Sequence, residues 1–283
     1  MIKLNLAEIK KLAKKIRLSI IETGFGAGKN ASHFGGALSA VEVLACLYGG
    51  IMDVDPKNPD KEPRDIFIMS KAHAVLVLYS ALAYTEFFPI EDLRTFEQDE
   101  SDLSGHPVMN IRRGIEFSGG SLGMGLSQGV GVALGFRKKK IDNRVFVLLG
   151  DGECDEGSNW EAAMSAAHFK LDNLIVIVDK NTVQADGTTD EVMNLGDLAQ
   201  KFSAFGFETR DVDGHNVTNI CESISEFFVH RDGKPKALIA HTVKGKGISF
   251  MENRHEFHHT TLTQQQYNMA LLELRKAADE IDL

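Results

Sequence analysis

Cysteine is scarce in this sequence. Three occur, Cys46, Cys154 and Cys221, with no C-x-x-C spacing and no histidine at zinc-ligand distance, which excludes a disulfide framework and a zinc module. Free thiols suit a reducing compartment, so a cytoplasmic protein is expected. Positive charge is in deficit, 31 Lys and Arg against 40 Asp and Glu, and the net charge of −9 argues against nucleic-acid binding by counterion release. The short basic runs at 10–15 and 137–140 read as solvated helix faces. There is no run of about 18 or more apolar residues, so no membrane span is expected, and the opening MIKLNLAEIKKLAKK lacks an apolar signal core. No G-x-G-x-x-G or G-x-x-x-x-G-K-[S/T] opens a helix after a strand, which removes the common nucleotide-binding folds. Of only six prolines, three lie in the surface loop expected over 53–64.

What is present is an alternation of helix and strand. Leu6, Ile9, Leu12, Ile16 and Ile20 share one helical stripe within 5–22, which Gly24 can end. A Gly-rich loop over 24–36 carries His33. The spacing of Ser39 and Glu42 suggests a capping box for a second helix reaching Tyr48. Residues 65–70 read as a buried strand, with helix resuming after His73. From Arg144 the pattern sharpens: strands over 144–149, 173–179, 207–213 and 237–243 alternate with helices over 158–170, 196–205 and 217–230. Continuous apolar strands between helices predict an α/β fold, a parallel sheet covered on both faces. A last amphipathic helix is expected over 262–281. With no internal repeat or linker, one domain over 1–283 is expected. Between them, 119–136 is helical in pattern yet contains Gly125, Gly129 and Gly135. Each costs about 1 kcal/mol relative to alanine in a helix, so a close backbone contact is expected, with another element or with a ligand at a helix start near Gly119 and Gly120.

The most informative stretch is Gly150-Asp151-Gly152-Glu153-Cys154-Asp155-Glu156-Gly157, followed by Asp179-Lys180-Asn181. Asp151 leaves one strand and Asn181 the next, and the helix between them suits a crossover, so the strands should be parallel neighbours. Both residues then stand at the carboxyl edge, where open α/β sheets bind ligands. A carboxylate, an amide oxygen and a backbone carbonyl form a hard oxygen set, suited to magnesium shared with a diphosphate. Glycines at 150 and 152 permit close approach, and the following helix, with Ser158 and Glu161 spaced as a capping box, can offer N–H groups to phosphate. Asp-Gly alone is also ordinary turn chemistry; Asn181 one strand later is what favours the metal reading.

GDG with an Asn about thirty residues on resembles the thiamine-diphosphate motif. Ala31-Ser32-His33-Phe34-Gly35-Gly36, Ser70-Lys71-Ala72-His73-Ala74, Ser104-Gly105-His106-Pro107, Gly119-Gly120-Ser121-Leu122-Gly123, Asp213-Gly214-His215 and Lys244-Gly245-Lys246-Gly247 resemble transketolase segments, in family order, from about 24 to 260. The resemblance is to the N-terminal, diphosphate-binding subunit of a split transketolase and implies the thiamine-diphosphate-binding fold. It implies thiamine diphosphate with Mg2+ (or Ca2+ or Mn2+ in its place) on Asp151, Asn181 and the Val183 carbonyl. Cofactor contacts would come from His73, Gly120, Ser121, Leu122, Gly152, Glu156, Asn181 and His255. His33, His106 and His255 would serve catalysis at the sugar, histidine being suited to proton exchange near neutrality; His258 competes with His255 for that place. Ser32, Phe34, Ala72, Met124 and Thr182 depart from the pattern.

The implied reaction moves a two-carbon ketol unit from a ketose, commonly a phosphate, to an aldose. Single-chain transketolases continue into a pyrimidine-binding module with an activating glutamate, so a partner chain, and an α2β2 heterotetramer, are expected. Pentose phosphates are the default substrates, with specialised phosphorylated or sulfonated sugars also open. The rival readings are the alpha subunit of a 2-oxoacid dehydrogenase, disfavoured by His33, His73 and His106, and a non-catalytic cofactor-binding module.

Overall fold

The computed structural model describes residues 3–229 and 231–279. Five strands, β1 (Ile66–Met69), β2 (Val145–Gly150), β3 (Leu174–Lys180), β4 (Glu208–Asp213) and β5 (Lys236–His241), form one sheet in the order β1-β2-β3-β5-β4. Every neighbouring pair is parallel. Strand side chains alternate between faces, and both faces are buried. Phe146, Leu148, Ile175, Ile177 and Leu238 join one apolar cluster, while Val145, Val147, Val176, Val178 and Ile239 join the other. That double burial is why β1, β2, β3 and β5 read as apolar runs, whereas the edge strand β4, with the polar sequence ETRDVD, is largely half-buried or exposed.

The helices are α1 (Leu6–Gly26), α2 (Phe34–Ser39), α3 (Val41–Cys46), α4 (Val75–Tyr84), α5 (Gly125–Lys139), α6 (Gly157–His168), α7 (Thr189–Met193), α8 (Leu198–Ala204), α9 (Val217–Val229) and α10 (Gln264–Asp279). Helices α1, α3, α4 and α9 cover the first face; α5, α6 and α8 cover the second. The expected ends at His230 and Ile281 lie outside the described residues.

Several local expectations change. Helix α1 is capped by Asn5, whose side chain accepts from Glu8 N while Glu8 takes Asn5 N, and it runs past Gly24 to Gly26. Gly24 stays inside because a Cβ there would meet the Phe34 ring at 2.4 Å. Leu6 is exposed, so the buried stripe begins at Ile9. Ser39 and Glu42 do not cap a helix: Ser39 ends α2 and binds Asp179, while Glu42 binds Arg17 and His215. The helix expected to reach Tyr48 is instead split into α2, α3 and a wide turn over Leu47–Ile51. Ser158 is likewise not a cap; its hydroxyl donates to the Gly123 carbonyl at 2.8 Å, and Glu156 precedes α6 without a side-chain cap.

Helix α5 starts at Gly125, so Gly119 and Gly120 belong to the preceding loop rather than to a helix start. Two of its four glycines, Gly125 and Gly129, mark close packing against other elements. A Cβ at Gly125 would meet Ser70 at 2.4 Å, and one at Gly129 would meet Val147 at 2.5 Å. Gly135 faces open space, and nothing in the fold explains it.

Candidate active site

The ladder between β2 and β3 pairs Gly150 with Asp179. The residues just beyond, Asp151 and Asn181, therefore emerge side by side at the carboxyl edge, as their spacing predicts. Asp151 is buried; its carboxylate accepts from Gly152 N at 2.9 Å and Thr182 N at 2.5 Å. Burial, then the nearby Asp179 carboxylate, pushes the Asp151 carboxyl up to about 6. Asn181 donates from Nδ2 to Asp179 Oδ2 at 2.9 Å, and its Oδ1 accepts from Val183 N at 3.1 Å. Between them Thr182 sits at φ 63°, left-handed backbone that a β-branched residue rarely adopts. This turn aims the Thr182 N–H at Asp151.

Behind this edge lies a buried polar network that the sequence reading did not single out. Asp179, fully buried, accepts from Ser39 Oγ at 2.6 Å, Thr242 Oγ1 at 2.5 Å and Lys71 Nζ. Lys71 also donates to the Gly36 carbonyl at 2.8 Å. Its ammonium, with the other donors, holds the Asp179 carboxyl below its ordinary value against the opposing effect of burial. Glu153 plays a parallel part. It accepts from Ser70 Oγ at 2.5 Å, Gly123 N at 2.9 Å and Gly150 N at 3.1 Å, and so ties the 119–123 loop to the end of β2. The signal available was position: Asp179 closes an apolar strand, and Glu153 is the acid inside the GDG turn.

Lys244, matched only as part of a motif, proves central. Its Nζ donates to the Val183 carbonyl at 2.7 Å and lies 2.8 Å from His258 Nδ1. Burial, then repulsion from Lys71, lowers it to about 8. Its stem crosses Gly35, where a Cβ would meet Lys244 Cγ at 2.9 Å. Since an ammonium only donates, His258 accepts through Nδ1. The cleft framed by these residues has a volume of about 160 Å³ and is lined also by Leu122, Gly152, His73 and Gly36.

The histidines gather beside the cleft. His33 has its ring centroid 5.2 Å from His73, 5.9 Å from His106, 5.4 Å from His258 and 4.1 Å from His259. His73 and His258 are 5.1 Å apart. Burial, then neighbouring His259, lowers His33 to about 3; burial, then Lys244, lowers His258 to about 4. His73 is held well below the usual histidine range by burial and Lys71. All three rings are therefore neutral near pH 7.

The structure thus brings together Asp151, Asn181, Val183, Gly152, Leu122, His73, His33 and His106. It does not bring His255, which is exposed with Nε2 4.0 Å from Glu256; of the two competing positions, His258 is the one in the cluster. Glu156 is exposed and does not line the cleft. Gly120 and Ser121 are exposed on the loop beside Leu122.

The donors at the edge suit a divalent cation that shares its shell with a diphosphate. They are one carboxylate, one amide oxygen and one carbonyl already turned toward a cation, the Lys244 ammonium. A buried carboxylate whose pKa is raised is also what a cation would restore to full ionisation. Among the described residues no group of three or more His, Cys, Asp or Glu side chains is placed to hold a metal.

Residues 9–275 match the family model described as transketolase, thiamine diphosphate binding domain. The chain is 39% identical over 272 residues to one subunit of the apulose-4-phosphate transketolase of Actinobacillus succinogenes, covering 96% of this chain and 98% of that one. It is 41% identical over 244 residues to a 6-deoxy-6-sulfo-D-fructose transketolase subunit of a Clostridium strain, covering 86% and 88%. Among solved structures, a transketolase variant from Pichia stipitis superposes with a TM-score of 0.86 at 27% identity, over 96% of this chain and 41% of that one. The chain thus spans well under half the length of that enzyme.

Proposed function

Because the chain belongs to the transketolase family, in its thiamine-diphosphate-binding domain, we propose that it is the diphosphate-binding subunit of a split transketolase. It moves a two-carbon ketol unit from a ketose to an aldose, and acts only with a second chain that brings the pyrimidine module and its glutamate. The observation that carries this reading is the meeting, at one sheet edge, of an oxygen-donor set with a cluster of neutral histidines. Coverage of 98% of a relative that is itself named as one subunit of a transketolase supports the split arrangement. We extend the reading to an α2β2 assembly in the cytoplasm, with Mg2+ as the ion and this chain as one diphosphate-binding domain.

In this reading Asp151, Asn181 and the Val183 carbonyl hold the magnesium ion, and Lys244 balances phosphate charge. When bound, the cofactor would supply a nucleophilic carbon suited to addition at a ketose carbonyl. His33, His106 and His258 then orient sugar hydroxyls and move protons among them. Neutral imidazoles suit this role, since each offers one donor and one acceptor. Buried Lys71 and half-buried His73 form the inner wall of the cleft. The names of the relatives favour a phosphorylated or sulfonated ketose as donor. No feature favours a 2-oxoacid dehydrogenase subunit or a non-catalytic module.

The test is co-expression with the adjacent reading frame, followed by a screen of ketose donors against aldose acceptors, with 2-oxoacid decarboxylation run in parallel. Ketol transfer that requires both chains, thiamine diphosphate and Mg2+ is expected. Decarboxylation without ketol transfer would overturn the assignment.

A further inference from the structure

His259 lies in no motif that the sequence singles out, yet it makes the tightest ring contact in the cluster. Its ring stacks on His33 with centroids 4.1 Å apart and planes at 24°, whereas the other histidine pairs are 5.1 to 5.9 Å apart. His259 Nε2 lies 3.1 Å from the Ala31 carbonyl oxygen. A carbonyl only accepts, so this nitrogen carries the proton and donates. The two segments are also joined through their main chains: Ser32 N donates to Thr260 O at 2.9 Å, and Thr260 N to Ser32 O at 3.1 Å. Ser32 Oγ in turn donates to the Gly24 carbonyl at 3.3 Å. His259 is thus anchored to the residues flanking His33.

His33 itself makes no side-chain hydrogen bond among the described residues; its ring is held by ring contacts alone. Both its nitrogens are therefore available to a ligand, but no polar contact fixes the plane in which they point. We propose that His259 is a positioning residue for His33: by covering one face of that ring it fixes the plane in which His33 presents its nitrogens to the hydroxyls of the sugar. The inference rests on the proposed function, in which His33 faces the sugar. An aromatic stack of this kind is strong enough to change binding by about three- to tenfold.

The test compares His259→Ala, which removes the stack, with His259→Phe, which keeps the ring but loses the bond to Ala31. In the two-subunit complex, His259→Ala should raise KM for the ketose about three- to tenfold with kcat and thiamine diphosphate affinity held, and His259→Phe should recover most of the loss. In this chain alone, the carbon–proton NMR signals of the His33 ring, assigned by their loss in His33→Gln, should broaden or double in His259→Ala and sharpen again in His259→Phe. Unchanged KM and signals in His259→Ala would overturn the proposal. So would parallel losses of sugar and cofactor affinity, or a Phe variant as impaired as the Ala variant. Should the wild-type complex transfer no ketol unit, the functional reading fails, and the NMR comparison still decides whether His259 fixes the His33 ring.

Discussion

The Asn181 amide nitrogen lies 2.9 Å from a carboxylate oxygen of the buried Asp179. A carboxylate accepts and does not donate, so the amide can face only one way, with its oxygen on the opposite side toward Val183 N. Asp179 thereby sets which atom of Asn181 is offered to a cation. Asp179→Asn removes that constraint and the counter-charge of Lys71. Magnesium-dependent cofactor affinity should fall about 10- to 100-fold, as is common when a residue orienting a metal ligand is changed. Stability should drop by about 3–5 kcal/mol, because a buried ammonium loses its partner. Calorimetric titration with urea unfolding checks both, and an unaltered magnesium affinity would remove Asp179 from the site.

Asp151→Ala should abolish magnesium-dependent cofactor binding in the complex while the fold persists. Among the described residues its carboxylate accepts only from Gly152 N and Thr182 N, and in the proposed reading it would also hold the ion. Far-ultraviolet circular dichroism and a cofactor-binding isotherm suffice; retained affinity would show that the ion sits elsewhere.

The left-handed Thr182 costs on the order of 1–3 kcal/mol of backbone strain. Thr182→Asn should relieve part of it and raise the melting temperature of the chain, since asparagine tolerates this conformation better. A melting temperature that falls would mean the threonine contributes contacts worth more than the strain.

Acid should destabilise the chain in a defined window. The unfolded chain takes up protons on histidine near 6.5, whereas folded His33 and His258 wait until about 3 and 4. Their contribution to stability is complete above about 6.5 and is lost progressively as pH falls toward those lower values. His33→Gln should therefore flatten the fall in unfolding free energy between pH 6.5 and 4. An unchanged slope would place His33 in a protonated, solvated setting.

Much of this architecture was legible because chemistry and position coincide. Runs such as Val145–Leu149 and Leu174–Val178 are apolar throughout because both faces are covered, and the residues that end them necessarily stand at the ligand edge. His33, His73 and His106 were readable from the segments that carry them. His255 and His258, three apart on one short turn, are equivalent in sequence; the contacts of His258 with Lys244, His33 and His73 separate them. Ser39–Glu42 and Ser158–Glu161 have capping spacing, but distant groups claimed their side chains. The Lys71–Asp179 and Glu153 networks were hidden for the same reason, since a charged residue carries no mark of a partner 108 positions away.

The antiparallel bridge between Ser32 and Thr260 has a consequence for biosynthesis. It joins segments far apart in the chain, with His259 meeting the Ala31 carbonyl 228 residues earlier. A nascent chain emerging from the ribosome cannot complete its imidazole cluster until His258 and His259 have been translated, however early α1 and the sheet begin to form.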